Sequence, residues 1–319
     1  MRLSVALCAF NGERFLPDQL DGIRTQSRPP DELVVCDDAS ADGTASLVRR
    51  FAATAPFPVR LVVNEATLGS TANFAAAIHL CTGDTIALAD QDDIWLPHKL
   101  ATMERALADA PAAGFAFSDA EVVDESLAPA GYGLWEAIRF GRREQVRFRR
   151  GGAFAGLLRR HRVTGATMAF RAEYRPLVLP IPPGWVHDAW IALLIAAVAP
   201  CVVVSERLIR YRQHAAQQHG GKKRGWREWL EAARRSDREK FAAVAARSTE
   251  ARDRLQGVAG VPPDFSVRLE EKVRHSGERV AMREPGAWRL PRVLRELGRG
   301  RYHRYSRGWA AVAQDVFLG

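Results

Sequence analysis

Apolar and polar positions alternate in blocks along the first third of the chain. Leu3 to Ala9 is a short apolar run that predicts a strand, and Asn11-Gly12 breaks it. From Glu13 to Gln26 the residues Phe15, Leu16, Leu20 and Ile23 recur at helical spacing. Arg28-Pro-Pro-Asp31 reads as a turn, and Glu32 to Cys36 as a second strand running into Asp37-Asp38. Ser40 to Ala53 predicts a helix with Asp42 or Ser40 as its cap. Val59 to Val63 is a third strand ending at Asn64, Thr71 to Cys81 a third helix, and Asp84 to Ala89 a fourth strand. This order predicts an α/β fold, a mostly parallel sheet with helices on both faces. Ligands of such open sheets bind outside the carboxyl ends of the strands. The polar residues fall there: Asn11, Asp37-Asp38, Asn64 and Asp90-Gln91-Asp92-Asp93.

The last of these groups is the most pointed. An apolar strand runs straight into three carboxylates, and like charges so close are costly unless a cation or a proton neutralises them. Short, hard oxygen ligands at a strand tip suit Mg²⁺ or Mn²⁺, which usually accompany a phosphate-bearing substrate. The bland alternative is an acidic turn in which Asp93 caps the helix behind it, from Trp95 to about Ala110. Gly114 to Ser118 is a further strand. Residues 121–163, rich in Gly and Arg, give no periodic pattern. Thr164 to Phe170 is strand-like, and a proline-rich loop leads to Trp185-Val-His187-Asp188-Ala-Trp190. The apolar run from Ala189 to Val204 is short for a bilayer and is interrupted by Pro200, so it reads as a buried helix followed by the strand Cys201 to Val204. Glu228 to Leu255 and Phe265 to Met282 read as helices.

Composition bounds the class. The chain has 319 residues, 47% apolar and 26% charged, as in globular proteins with a sizeable core. Four scattered cysteines, Cys8, Cys36, Cys81 and Cys201, predict reduced core thiols of a cytoplasmic protein, and the opening residues read as a first strand and not as a signal peptide. Neither G-x-G-x-x-G after the first strand nor a Walker A sequence is present, which argues against dinucleotide and P-loop nucleotide binding. Charge is uneven: residues 222–319 carry 23 Lys+Arg against 13 Asp+Glu, a balance of +10 against a net +9 for the whole chain, so the rest is close to neutral and a boundary near Gly220-Gly221 is expected. This basic tail has three readings: a solvated face packed on the rest of the protein, a peripheral contact with an anionic membrane leaflet, or nucleic-acid binding, the last without any accompanying motif.

Seven stretches in order resemble a family 2 glycosyltransferase of the GT-A, Rossmann-like fold, over about residues 1–215. They are Ser4-Val-Ala-Leu-Cys-Ala-Phe-Asn-Gly-Glu13, Val34-Val-Cys-Asp-Asp-Ala-Ser40, Leu68-Gly-Ser-Thr-Ala-Asn73, Ala89-Asp-Gln-Asp-Asp-Ile-Trp95, Val163-Thr-Gly-Ala-Thr-Met168, His187-Asp188-Ala-Trp190 and Tyr211-Arg-Gln-His214. The Asp-Gln-Asp-Asp-Ile-Trp form is similar to bacterial rhamnosyltransferase-like members. The resemblance implies a nucleotide-sugar-binding part over 1–120, an acceptor-binding part over 121–215 and a basic helical region over 216–319. It implies that Ala9 and Asn11 lie by the nucleoside, that Asp38 or Asp37 accepts the imino N–H of a uracil or thymine ring, and that Glu13, Asn64, Gly69 and Asn73 line the pocket. Asp90 and Asp92 form the D-x-D signature, Asp90 facing the ribose and Asp92 the Mg²⁺ or Mn²⁺ ion that neutralises the departing diphosphate. His214 is either a third metal ligand or a surface residue.

Asp188 is the expected general base of an inverting transfer from a dTDP- or UDP-linked sugar to a saccharide or lipid-linked acceptor in surface polysaccharide synthesis; the alternative for Asp188 is the N-cap of a helix beginning at Ala189. The resemblance implies acceptor-binding places for His187, which stands where family members often carry Glu, and for Trp190; Trp190 and Trp95 either stack on a sugar or pack in the core. A non-catalytic nucleotide-sugar-binding or scaffold protein of the same fold is the alternative function.

Overall fold

A computed structural model of the chain describes residues 1–215, 238–284 and 288–317. The expected boundary at Gly220-Gly221 and the first ten residues of the helix expected from Glu228 lie outside them. The chain divides into two compact units, Met1–Gly151 with Val163–Lys222, and Gly152–Arg162 with Lys223–Gly319.

In the first unit nine strands among the described residues form one sheet in the order β3-β2-β1-β4-β8-β6-β9-β5, with β7 paired to β6. The first four are β1 (Leu3–Ala9), β2 (Glu32–Asp37), β3 (Val59–Val63) and β4 (Thr85–Asp90), all mutually parallel. They alternate with α1 (Leu16–Arg24), α2 (Thr44–Ala52) and α3 (Ser70–Leu80), as the apolar spacing predicts. Helix α1 buries Leu16, Leu20 and Ile23 in the same core as Leu3, Val5 and Leu7. Beyond β4 the parallel order stops. After β5 (Ile94–Trp95) and α4 (Lys99–Ala108) come β6 (Phe115–Val123) and β7 (Pro129–Gly133). The antiparallel β8 (Met168–Arg171) lies between β4 and β6, and β9 (Cys201–Arg212) runs parallel to β6.

The connection from β4 to β5 bends this sheet. In sheet order the two strands are four steps apart, which a flat sheet would spread over ~19 Å. Only Gln91, Asp92 and Asp93 join them, and so short a link reaches at most ~14 Å. The sheet must therefore curl, which carries β5 and its antiparallel partner β9 back towards the tip of β4.

Other expectations are adjusted. Thr164 to Phe170 is not one strand: a 3₁₀ turn at Gly165–Thr167 precedes β8. The unpatterned stretch holds β7 and the short helices Leu134–Ala137, Arg142–Arg147 and Ala153–Arg159. The apolar run near Ala189 is the buried helix His187–Val198, and no helix among the described residues is long and apolar enough to cross a membrane. All four cysteines are free and buried.

The second unit is helical. Helices Arg238–Leu255 and Pro263–Ala281 are followed by Arg289–Gly298, Arg301–Tyr305 and Trp309–Phe317. Helix Ala153–Arg159 joins them by stacking Phe154 on Phe265, ring centres 4.3 Å apart. Met282, Val293, Tyr302 and Ala311 form a small apolar core. Beside it Asp315, fully buried, receives hydrogen bonds from Arg279, Arg283 and the Tyr302 hydroxyl. His275 lies between the Glu296 carboxylate and the Ser306 hydroxyl.

Candidate active site

The strand pairing brings the polar residues level. Cys8 of β1 stands opposite Asp90 of β4, Ala9 opposite Asp37 of β2, and Asp37 opposite Val63 of β3. The loop after β1 is fastened to the acidic tip by a two-way amide contact: Phe10 N–H donates to Gln91 Oε1 at 2.8 Å, and Gln91 Nε2 donates to the Phe10 carbonyl at 3.0 Å. A Cβ on Gly12 would lie 2.2 Å from that Oε1, so a side chain there would displace the Gln91 amide from this contact. Phe10 stays 40% exposed, an aromatic ring at the rim that the sequence reading passed over.

Several expected pocket residues spend their polar atoms on the protein itself. Asn11, in the left-handed region at φ 46°, accepts from Ala41 N–H, and Glu13 accepts from Gly43 N–H at the start of α2. Glu13 thus serves as a helix cap, beside Asp42, which accepts from Thr44 N–H. The Asp38 carboxylate takes three hydrogen bonds, from Asn64 Nδ2 and from the backbone N–H groups of Leu68 and Gly69. Asn64 also donates to Asn73, which donates to the Cys36 carbonyl. Asp38, Asn64, Gly69 and Asn73 are therefore one brace that shapes the rim. Asp37 is buried and accepts from the Ser40 hydroxyl through Oδ1, while its Oδ2 has no hydrogen-bond partner among the described residues. The Ala9 carbonyl accepts from Asp38 N–H.

At the acidic tip, burial and then the neighbouring Asp92 and Asp188 push the Asp90 carboxyl up to about 8. Asp92 Oδ2 lies 2.7 Å from His214 Nε2, both side chains largely buried. Asp93 does not cap the following helix: α4 begins at Lys99 behind His98, and Asp93 instead accepts from Arg212 N–H at 3.1 Å. The reason is β5, which pairs with β9 and carries the tip to the end of that strand. Burial, then Asp92 and Asp90, raise the Asp93 carboxyl well above its ordinary range.

Two basic residues secure this tip. The buried Arg212 donates through Nε to the Asp92 carbonyl at 2.9 Å and through another nitrogen to Asp18 at 2.6 Å. It also packs 4.6 Å from the centre of the Phe15 ring, against which His214 stands at 4.7 Å. Lys99 is fully buried, with Nζ 3.4 Å from the centre of the Trp95 ring and 2.6 Å from the Ala166 carbonyl. Burial lowers its pKa, against the opposing pull of Asp93 and Asp90. Neither residue was expected to matter; a single Arg two positions before His214, and a Lys in an otherwise apolar helix start, are the faint signals they leave.

Asp188 lies inside the first turn of helix His187–Val198, whose N-cap position is Val186, so it is not the N-cap. Its Oδ2 accepts from Gly165 N–H at 2.8 Å. The close approach needs glycine: a Cβ at Gly165 would fall 2.6 Å from His187 Nε2. The two aromatic acceptor contacts are corrected. Trp190 is 1% exposed and donates through its indole N–H to the Val178 carbonyl. His187 is buried and stacks on Phe74, ring centres 3.8 Å apart. Both belong to a helix that is apolar nearly all round and so faces core on most sides. Trp95 likewise packs in the core. Trp185, half-buried at the head of this segment, was overlooked; its carbonyl accepts from the Thr71 hydroxyl of α3.

No group of three His, Cys, Asp or Glu side chains placed to hold a metal ion is found among the described residues. The two that converge, Asp92 and His214, nonetheless fit a hard divalent cation, which commonly keeps several positions for water or phosphate oxygens. The crowded carboxylates of Asp90, Asp92 and Asp93 are the surroundings such a cation relieves.

The protein-family model of glycosyl transferase family 2 matches residues 4–171. A putative glycosyltransferase of Bacillus subtilis (strain 168), EpsE, is 34% identical over 99 residues, 31% of this chain and 36% of EpsE. The Escherichia coli UDP-Glc:alpha-D-GlcNAc-diphosphoundecaprenol beta-1,3-glucosyltransferase WfgD is 31% identical over 98 residues, 31% of this chain and 38% of WfgD. The chain thus spans little more than a third of either relative. Among solved structures, S. aureus TarS 1-349 in complex with UDP-GlcNAc superposes with a TM-score of 0.61 at 13% identity, covering 86% of this chain and 72% of that one. The mannosyltransferase PcManGT of Pyrobaculum calidifontis in complex with GDP-Man and Mn²⁺ gives 0.53 at 20% identity, covering 99% and 84%. At such identities the likeness is one of fold, and the fold is GT-A.

Proposed function

This chain belongs to glycosyl transferase family 2, and we propose that it moves a sugar from a nucleoside-diphosphate donor to a hydroxyl of a saccharide or lipid-linked acceptor, with inversion at the anomeric carbon. The observation that carries the reading is the meeting of Asp92 and His214 at a rim where Asp37 and Asp90 stand level. A donor of this class has a base, a ribose and a diphosphate to be held separately. Asp37 and the exposed ring of Phe10 receive the base, and Asp90 faces the ribose. Asp92 and His214 would hold Mg²⁺ or Mn²⁺, which when bound supplies Lewis-acid neutralisation of the leaving diphosphate.

Asp188 is the proposed base. The acceptor oxygen attacks the anomeric carbon while its proton passes to the Asp188 carboxylate. The bond from that carbon to the diphosphate oxygen breaks, and the nucleoside diphosphate departs with the electron pair. One displacement inverts the configuration. The hydrogen bond from Gly165 N–H to Oδ2 holds the carboxylate in one orientation, which a base needs before its pKa matters. Trp185, half-exposed three residues earlier, gives the acceptor sugar an apolar face in place of the buried Trp190. WfgD acts on a diphosphoundecaprenol-linked sugar and TarS holds UDP-GlcNAc, which supports a nucleotide-sugar donor and an acceptor on a lipid carrier.

The test is release of nucleoside diphosphate from a panel of UDP-, GDP- and dTDP-sugars, dTDP-rhamnose among them, with and without Mn²⁺ or Mg²⁺. One donor should be bound and consumed in the presence of metal. If none is bound with metal present, the reading fails.

A further inference from the structure

The second unit ends in a surface that its own packing does not explain. Among the described residues, five large apolar side chains between residues 288 and 317 are exposed, from 58% for Leu294 to 82% for Trp288; the others are Leu290, Trp309 and Phe317. Leu290 and Leu294 are four apart in helix Arg289–Gly298 and so lie one turn apart on one face. The residues that this helix buries are Val293 and Glu296. The helix has a core-facing side already filled, and carries a second apolar stripe outward.

The charge that the segment itself exposes has one sign. The segment contains two acidic residues, Glu296 and Asp315, and both are buried within the unit. Glu296 pairs with His275 and Arg301, and Asp315 with Arg279 and Arg283. What the segment presents outward is arginine: Arg295, Arg299, Arg304 and Arg307 are all exposed. Arg304 has a carboxylate partner in Glu271, and Arg295 stands 4.0 Å from Glu278.

We propose that the exposed apolar side chains of this segment, Trp288, Leu290, Leu294, Trp309 and Phe317, together with its exposed arginines, dock on an anionic phospholipid surface. Tryptophan, leucine and phenylalanine suit the boundary between headgroups and acyl chains, and arginine suits the lipid phosphates above it. Long arginine stems allow the guanidinium groups to stay at headgroup level while the apolar side chains enter. A second copy of this chain fits less well, because an isologous pairing would set arginine against arginine. Nucleic acid would use the arginines and leave the two leucines and the phenylalanine in water. The contact would be peripheral, since no helix among the described residues can span a bilayer. The proposal does not rest on the transfer reaction.

The experiment is co-sedimentation of the full chain with vesicles of phosphatidylcholine alone and of phosphatidylcholine with about a third phosphatidylglycerol, at ~0.1 M salt, where surface charges are still felt over ~10 Å. Variants are Leu290→Glu/Leu294→Glu and Arg295→Gln/Arg299→Gln; both pairs are exposed, and circular dichroism checks that each variant is folded. The wild type should bind the anionic vesicles at least ~10-fold better than the neutral ones, more weakly as salt rises. The leucine pair should lose most of this binding, and the arginine pair should lose the preference for anionic lipid. The proposal is overturned if the wild type does not sediment with anionic vesicles or if folded leucine variants bind as the wild type does. It is equally overturned if the leucine variants only abolish self-association or only abolish DNA binding with vesicle binding unchanged.

Discussion

Asp92 and His214 meet at 2.7 Å although 122 residues separate them. The contact exists because β5 leaves the acidic tip and pairs with β9, Ile94 opposite Arg210, two residues before Arg212 and four before His214. Arg212 then fixes the tip by holding the Asp92 carbonyl. If the pair is a metal site, Asp92→Ala and His214→Ala should each weaken Mn²⁺-dependent binding of nucleoside diphosphate at least ~10-fold, the scale on which losses around metal sites are felt. Binding measured without metal should change little. Calorimetry with and without Mn²⁺ distinguishes these outcomes, and equal metal-dependent affinity in wild type and Asp92→Ala removes the assignment.

Asp188→Asn tests the base while preserving shape. An amide oxygen still accepts the hydrogen bond from Gly165 N–H, so the turn before β8 should hold. Donor affinity should stay within about threefold, while kcat for transfer should fall by ~10² to 10⁴, the usual worth of a positioned general base. A kcat near that of wild type would move the proton transfer to another group.

Lys99 ties the acidic tip to the turn beneath Asp188. Its ammonium donates to the Ala166 carbonyl, one residue from Gly165, and feels the charges of Asp90 and Asp93. Lys99→Met keeps most of the volume and removes the charge and the donor. Removing the donor leaves the buried Ala166 carbonyl without it, which typically costs ~1–3 kcal/mol. Equilibrium urea unfolding should register a loss of that size. A loss below about 0.5 kcal/mol, under the worth of an ordinary hydrogen bond, would show that this contact does not hold the turn.

The sequence makes the first four strands and three helices plain because each is a single periodic block closed by polar residues. The rim was legible for the same reason: Asn11, Asp37, Asn64 and Asp90 each follow directly on an apolar run. What local pattern does not carry is pairing at long range. His214 was left undecided because its partner depends on the antiparallel β5–β9 contact. The bond from Gly43 N–H to Glu13 is likewise invisible in local pattern, because it crosses between two loops. Local pattern leaves Trp190 between sugar stacking and core packing, because an aromatic beside a polar pair also suggests a binding surface; the burial of helix His187–Val198 on nearly every side decides for the core. Residues 121–163 gave no period because their short helices are held by ring contacts among Phe117, Trp135, Phe140 and Phe148, and Gly151 interrupts them at φ 85°.

The helical unit should be least stable in acid. Burial lowers the pKa of His275 below its ordinary 6.5, outweighing the opposing pull of the Glu296 carboxylate. Burial alone would raise Asp315, but hydrogen bonds and charge from Arg279 hold it below its ordinary 3.8. Both groups bind fewer protons folded than unfolded, so the stability each provides is present above its ordinary pKa and is lost as pH falls through the lowered one. His275 therefore sets a loss that begins below about 6.5, and Asp315 a second below about 3.8. At the other end burial keeps the Tyr305 hydroxyl protonated up to about 12, so stability also falls once pH rises above the ordinary tyrosine value of 10. Hydrogen exchange of the peptide covering Pro263–Ala281, followed from pH 8 to pH 5 and corrected for intrinsic exchange, reads the acid limb. Opening free energy should fall by up to about 1.4 kcal/mol per pH unit below pH 6.5. In His275→Gln the overall protection should be lower but the slope in that window should flatten. An unchanged slope would assign the acid sensitivity to other groups.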